Sequence, residues 1–168
     1  ITAGETVPGC SHCDHLLPQG LDTYRQHWNR KAPDEYSIDI SVDNICNLEC
    51  VMCSSFSSHK AARRERLLLG SSVSGDAVIS NTVYQTVDWS KIKTIRLYGG
   101  EPTYSPGVEQ MLKTIDPDWG NVNLIMNTNA TTIPNQTLQS VMSRCASVEV
   151  GISLDGWGNP NQFQRQGS

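Results

Sequence analysis

Ile38, Ile40 and Val42 alternate with Asp39, Ser41 and Asp43, the two-residue period of a strand with one apolar and one polar face. Three more strands are predicted over Ile92 to Tyr98, Val122 to Asn127 and Val148 to Leu154. Helix signals fall between them. A helix over Ser58 to Leu69 is ended by Gly70, and Ser105-Pro106 supplies the cap and first turn of the next. Leu138, Val141, Met142 and Cys145 recur at helical spacing in and just after a helix over Pro134 to Arg144. The polar stretch Ser71 to Asp88 carries a weak pattern with room for one short helix. Residues 1–34 read as a polar lead-in, with a short helix over Leu21 to Arg30 that places Leu21, Tyr24 and Trp28 on one face and is closed by Pro33. The expected division is therefore a lead-in, 1–34, and one α/β domain, 35–168.

Strands separated by helix-length segments predict parallel βαβ units. The last strand sharpens this. Val148, Val150, Ile152 and Leu154 lie on one face, and Glu149, Gly151, Ser153 and Asp155 on the other. A strand buried between helices on both sides is apolar throughout. A polar face here predicts a wet, ligand-holding interior, the alternative being a sheet face open to solvent.

Composition narrows the function classes. A chain of 168 residues with 38% hydrophobic and 18% charged positions can bury about two thirds of its unfolded surface and needs no disulfides. A net charge of −4 gives no electrostatic reason to expect nucleic acid or an anionic membrane as partner. No apolar run approaches a membrane span, and the sequence does not open on a charged-then-apolar leader. It opens on Ile1 and stops at Gly167-Ser168, so a processed, trimmed or incomplete chain is the expectation. The six cysteines are clustered, which favours metal binding in a reducing compartment, and a cytoplasmic location, over secretion.

The chemistry concentrates in Cys46-Asn47-Leu48-Glu49-Cys50-Val51-Met52-Cys53, a C-x3-C-x2-C loop directly after the first strand. Three thiolates from one loop can hold three irons of a four-iron cluster and leave the fourth open to a small molecule. An open coordination position marks a catalytic metal site. Zinc is the alternative, but it usually takes a fourth protein ligand and favours paired C-x2-C knuckles.

This loop resembles the cluster motif of the radical S-adenosylmethionine (SAM) enzymes. Tyr98-Gly99-Gly100-Glu101-Pro102, Met126-Asn127-Thr128-Asn129-Ala130 and Ile152-Ser153-Leu154-Asp155-Gly156 follow in the order of successive strand ends in that superfamily. The resemblance runs from about Tyr36 to the C-terminus. Gln26-His27-Trp28-Asn29 and Asn161-Gln162-Phe163-Gln164-Arg165 resemble most the twitch/SPASM-related group. The family fold is a partial (β/α) barrel of six βα units, of which about four are expected here.

The resemblance implies a [4Fe-4S] cluster on Cys46, Cys50 and Cys53, with SAM bound at the open iron by its amino and carboxylate groups. A reduced cluster would then cleave SAM to a 5′-deoxyadenosyl radical that abstracts hydrogen from a peptide or small metabolite. A flavodoxin- or ferredoxin-type protein would donate the electron. Met52 stands where the family has an aromatic residue beside adenine. The carbonyls of Gly99 and Gly100 and the carboxylate of Glu101 would accept from the SAM ammonium. Ser153 and Asp155 would contact ribose, Asn127 and Asn129 would line the pocket, and Arg165 would pair with the SAM carboxylate. No residue is expected to be catalytic beyond this cofactor set.

Several features stay open. Cys10 and Cys13, with His12 or His15, are either half of a second metal site or free loop thiols. Cys145 is most simply a buried core thiol. The Arg63-Arg64-Glu65-Arg66 run reads as a solvated helix face or a dock for an acidic redox donor. Two other classes compete with the enzyme: an electron-transfer or structural iron–sulfur or zinc protein, and a truncated module that binds SAM without cleaving it.

Overall fold

The computed structural model describes residues 36–70 and 81–167. The lead-in, including the expected helix over Leu21 to Arg30 and the pair Cys10 and Cys13, lies outside the described residues, as does 71–80. In chain order the elements are β1 (Tyr36–Ser41), β2 (Glu49–Cys50), α1 (His59–Leu69), β3 (Ile92–Tyr98), α2 (Pro106–Thr114), β4 (Asn123–Thr128), α3 (Gln136–Arg144), β5 (Ser147–Ile152), α4 (Asn159–Gln164) and β6 (Arg165–Gln166). Short 3₁₀ turns cover Asn81–Thr86, Trp89–Lys91 and Trp119–Asn121.

The helix boundaries follow local chemistry. The side chains of Ser58, Ser105 and Asn135 accept from the backbone N–H groups of Ala61, Val108 and Leu138, so each helix begins at a capping residue. Gly70 ends α1 at φ +89°, a conformation that glycine adopts without steric cost. Pro106 occupies the first turn of α2, where its missing N–H is not needed.

Four strands form one parallel sheet in the order β1-β3-β4-β5, each laid beside its predecessor. The register explains the alternation seen in the sequence. Ile38, Ile95, Leu124 and Val148 form one cross-strand row, and Ile40, Leu97, Met126 and Val150 the next. Most of these side chains meet Val108, Met111 and Leu112 of α2 and Leu138 and Val141 of α3 in a single core. The opposite face is polar. There Arg96 pairs with Asp39 at 3.2 Å, and Ser147 Oγ donates to Asn123 Oδ1 at 2.7 Å.

The apolar row thins at β5. Val150 and Ile152, on the helix side of the sheet, are 40% and 65% exposed, because β5 is an edge strand. The sheet is thus a mixed α/β assembly of parallel strands with open edges at β1 and β5 among the described residues. The expected βα order is present, and closure into a barrel is not seen.

Leu124 is fully buried at the centre of this sheet. Leu124→Ala should lower the stability of the metal-free protein by about 2–5 kcal/mol, read as a shift in the urea midpoint. A shift no larger than that of an exposed-site control would contradict this core assignment.

Candidate cofactor site at the strand ends

A parallel sheet brings the C-terminal ends of its strands to one edge, and the four motifs all leave from that edge. They enclose a cavity of about 230 Å³, lined by Cys46, Cys50 and Cys53, the Tyr98-to-Glu101 turn, Asn127 to Asn129, Ser57, Ser153 and Arg165. This is below the roughly 300–1,000 Å³ of typical small-molecule sites.

Two buried carboxylates fix the loops around the cavity. Asp43 Oδ1 accepts from Ile45 N at 3.0 Å, turning the chain from β1 into the cysteine loop. Its Oδ2 accepts from Ser105 Oγ, the residue that caps α2. Gly107 leaves room for this, since a Cβ there would sit 2.4 Å from Asp43 Oδ2. The second carboxylate belongs to Glu101, only 2% exposed. Its Oε1 accepts from Thr103 N (3.1 Å), Thr103 Oγ1 (2.6 Å) and Thr128 Oγ1 (2.5 Å), and its Oε2 from Asn129 N (2.7 Å). Thr103 spends its proton on Glu101, so Thr132 Oγ1 donates to Thr103 Oγ1 across the 2.6 Å contact between them.

Gly99 and Gly100 were expected to bring backbone close to a ligand. In the structure they bring it close to the chain itself. Gly100 N donates to Asp43 O at 3.1 Å and Glu101 N to Ile45 O at 2.9 Å. A Cβ at Gly100 would lie 2.1 Å from Ile45 O, and one at Gly99, whose φ is +110°, 2.4 Å from Asp43 O. The glycines therefore permit the turn to be stitched to the start of the cysteine loop.

The cysteine loop has further anchors that the sequence did not announce. Arg64 donates to Cys53 O at 3.1 Å and Cys50 O at 3.5 Å, so one member of the expected solvated Arg63–Arg66 run turns inward. Lys60 Nζ donates to Asn47 O, and His59 Nδ1 accepts from Cys46 N at 3.1 Å. Asn47 bridges to the β4 loop, giving a hydrogen bond to Thr131 Oγ1 (2.7 Å) and taking one from Asn129 Nδ2 (2.9 Å). A two-residue antiparallel pairing of β2 with β6 closes the side near Cys50.

The three thiols are free and face one cavity. Burial raises the Cys46 thiol above its ordinary pKa, partly offset by Leu48 N donating to its Sγ at 3.4 Å. Cys53 is pushed up to about 11, first by burial and then by the neighbouring Cys50. Among the described residues, no group of three or more His, Cys, Asp or Glu side chains is drawn around one point that could hold a metal ion. The fit to a cluster thus rests on donor chemistry: three thiols in one pocket, no fourth sulfur or imidazole lining it, and backbone and hydroxyl donors around them.

Of the expected site residues, Gly99, Gly100, Glu101, Asn127, Ser153 and Arg165 line the cavity with the three cysteines, as does Asn129. Met52 and Asp155 do not. Met52 is 54% exposed on the outside of the loop. Asp155 Oδ2 instead lies 2.7 Å from Arg165 Nε. Asn127 owes its place to Gly151, where a Cβ would sit 2.2 Å from Asn127 Oδ1. Cys145 caps the end of α3 and packs half-buried against the core.

Comparison with known proteins gives one informative match. The chain is 25% identical over 134 residues to the GTP 3′,8-cyclase of Pelotomaculum thermopropionicum, a radical SAM enzyme. The match covers 80% of this chain and 36% of that protein, so the chain spans about a third of the relative's length. No family model and no solved structure matches. The distant likeness supports the superfamily resemblance and enzyme status in general, and it leaves the subgroup open.

Two outcomes test this geometry. In Glu101→Gln an amide NH₂ must face a donor, the N–H of Asn129 or the hydroxyls of Thr103 and Thr128. Urea unfolding of the metal-free protein should show a loss of about 1–3 kcal/mol. No loss would mean the network does not bear on stability. Alkylation of Cys53 in the metal-free protein should stay slow at pH 8 and accelerate toward about pH 11, because burial disfavours the reactive thiolate. A plateau by pH 9, followed by mass spectrometry of the labelled peptide, would contradict a buried thiol.

Proposed function

We propose that this chain is the cluster-bearing part of a radical SAM enzyme with a partial (β/α) barrel core. The observation that carries the reading is the convergence of Cys46, Cys50 and Cys53 with the Gly-Gly-Glu-Pro turn, Asn127 and Ser153 on one cavity at the C-terminal strand ends. Its parallel sheet, its motif order and its distant likeness to a radical SAM enzyme support it.

Cys46, Cys50 and Cys53 would hold a [4Fe-4S] cluster. When bound and reduced, the cluster supplies the electron that cleaves SAM to a hydrogen-abstracting 5′-deoxyadenosyl radical. The remaining work belongs to the chain. Carbonyls of the Gly99-Gly100 turn are acceptors for the SAM ammonium together with the Glu101 carboxylate, three of whose four donors fall on Oε1 and only Asn129 N on Oε2. Ser153 would contact the SAM ribose, with Asp155 at the same strand end, and Asn127 and Asn129 line the cavity. Arg165 brings the cavity's fixed positive charge, suited to a carboxylate.

The substrate is a peptide or a small metabolite, a class that includes nucleotides such as the GTP in the name of the similar cyclase. The twitch/SPASM-related assignment rests on the sequence runs around Gln26 and Asn161. In the second run, Asn161 Oδ1 accepts from Asp155 N at 3.1 Å, so that segment is tied to the strand-end loop. An acidic flavodoxin- or ferredoxin-type donor is the proposed electron source, and buried thiols of this kind suit a reducing, cytoplasmic setting. Among the described residues, no helix is long and apolar enough to cross a membrane.

Anaerobic reconstitution with iron and sulfide, reduction by dithionite and addition of SAM should yield 5′-deoxyadenosine, detected by chromatography. Cys50→Ala should lower the yield to the no-protein background and lose the four-iron absorption. A four-iron cluster retained in Cys50→Ala would overturn the ligand assignment. A cluster in the wild type that leaves SAM uncleaved would favour the electron-carrier or SAM-binding alternatives.

A further inference from the structure

Arg165 sits where its charge can act on the thiolates. The register of the β2–β6 pair sets Arg165 directly opposite Cys50, and Val51 N donates to Gln164 O at 2.9 Å beside it. Side chains of directly opposed antiparallel residues share a face, so the guanidinium runs alongside the thiol. Its Nη1 approaches Cys50 Sγ at 4.0 Å. Its Nε lies 2.7 Å from Asp155 Oδ2, yet the N–H finds no aligned acceptor, so charge rather than a directed hydrogen bond holds this pair. The side chain is 17% exposed, which limits screening by solvent.

We propose that Arg165 is a positioning residue for the cysteine loop, and that its fixed charge raises the reduction potential of a cluster held by Cys46, Cys50 and Cys53. The inference rests on the cluster reading above. Reduction adds one negative charge to a site already surrounded by three thiolates. A nearby cation stabilises the reduced state more than the oxidised one, and cluster potentials respond to local charge and to hydrogen bonds on sulfur. Asp155 has the opposite effect: it orients the guanidinium and offsets part of its field. Asn129 Nδ2, 3.9 Å from Cys46 Sγ, offers only a dipole and is the weaker partner.

The test is a redox titration of the reconstituted cluster without SAM, followed by electron paramagnetic resonance, in wild type, Arg165→Lys, Arg165→Met and Asp155→Asn. Iron and sulfide content is measured first. Arg165→Met should move the midpoint to more negative potential, and Arg165→Lys should restore most of the shift. Asp155→Asn, which removes the charge that offsets the guanidinium, should move it the opposite way, and recovery by Arg165→Lys separates the charge from a purely structural role. Should Arg165→Met fail to hold a cluster, Arg165→Gln, which removes the charge but keeps a polar side chain, is titrated in its place and should shift the midpoint the same way. Midpoints unchanged from wild type in cluster-containing variants would overturn this proposal and leave the cluster reading standing. A wild type that takes up no cluster would overturn the cluster reading itself, and this inference with it.

Discussion

The Glu101 carboxylate is the constraint on which the site depends. It is buried among strand ends and receives hydrogen bonds from the turn after β3 and from the loop after β4. A buried carboxylate lacking such partners would cost several kcal/mol. With four donors in place it acts as a fixed joint between two loops that share no strand pairing at that point. The backbone N–H of Glu101 extends the joint to Ile45 and so to the cysteine loop. Asp43 repeats the device one strand earlier, tying the loop's first turn to the cap of α2. Three strand-end loops are thereby held in one arrangement before any cofactor arrives.

That arrangement gives the cavity its character. Burial raises the Cys46 and Cys53 thiols above their ordinary pKa, which disfavours their thiolate forms in the metal-free protein. Metal binding must therefore displace protons, and cluster assembly is coupled to pH in this loop. Around the thiols, the groups available to a ligand include backbone carbonyls, the Ser153 and Asn127 side chains and the Arg165 cation. The cavity is open and small, β5 leaves apolar residues uncovered, and the chain spans about a third of its relative.

Periodicity made the four strands and three main helices legible, because one-sided burial writes a two- or 3.6-residue pattern directly into the chain. The cap at Ser105 is legible from local chemistry, and the side-chain caps at Ser58 and Asn135 emerge with the structure. Contacts set by tertiary register were not. The β2–β6 pair joins residues over a hundred positions apart through two-residue strands, too short to leave a pattern. Arg64 looks like its neighbours in a charged run, and only the turn of α1 against the cysteine loop sends it inward. The glycine pair Gly99-Gly100 signals close backbone approach, and only the tertiary structure shows the approach to be to Asp43 and Ile45 of the chain itself. Met52 and Asp155 were assigned by motif position, and side-chain direction placed both outside the cavity lining.

The central claim is that three thiolates from this loop hold a four-iron cluster whose remaining iron is open to SAM. Electron paramagnetic resonance of the anaerobically reconstituted, dithionite-reduced protein, recorded with and without SAM, tests it most directly. The account predicts a reduced four-iron signal whose shape changes when SAM is added. A four-iron signal indifferent to SAM would contradict an open, SAM-binding iron, and the absence of any cluster would contradict the ligand set itself.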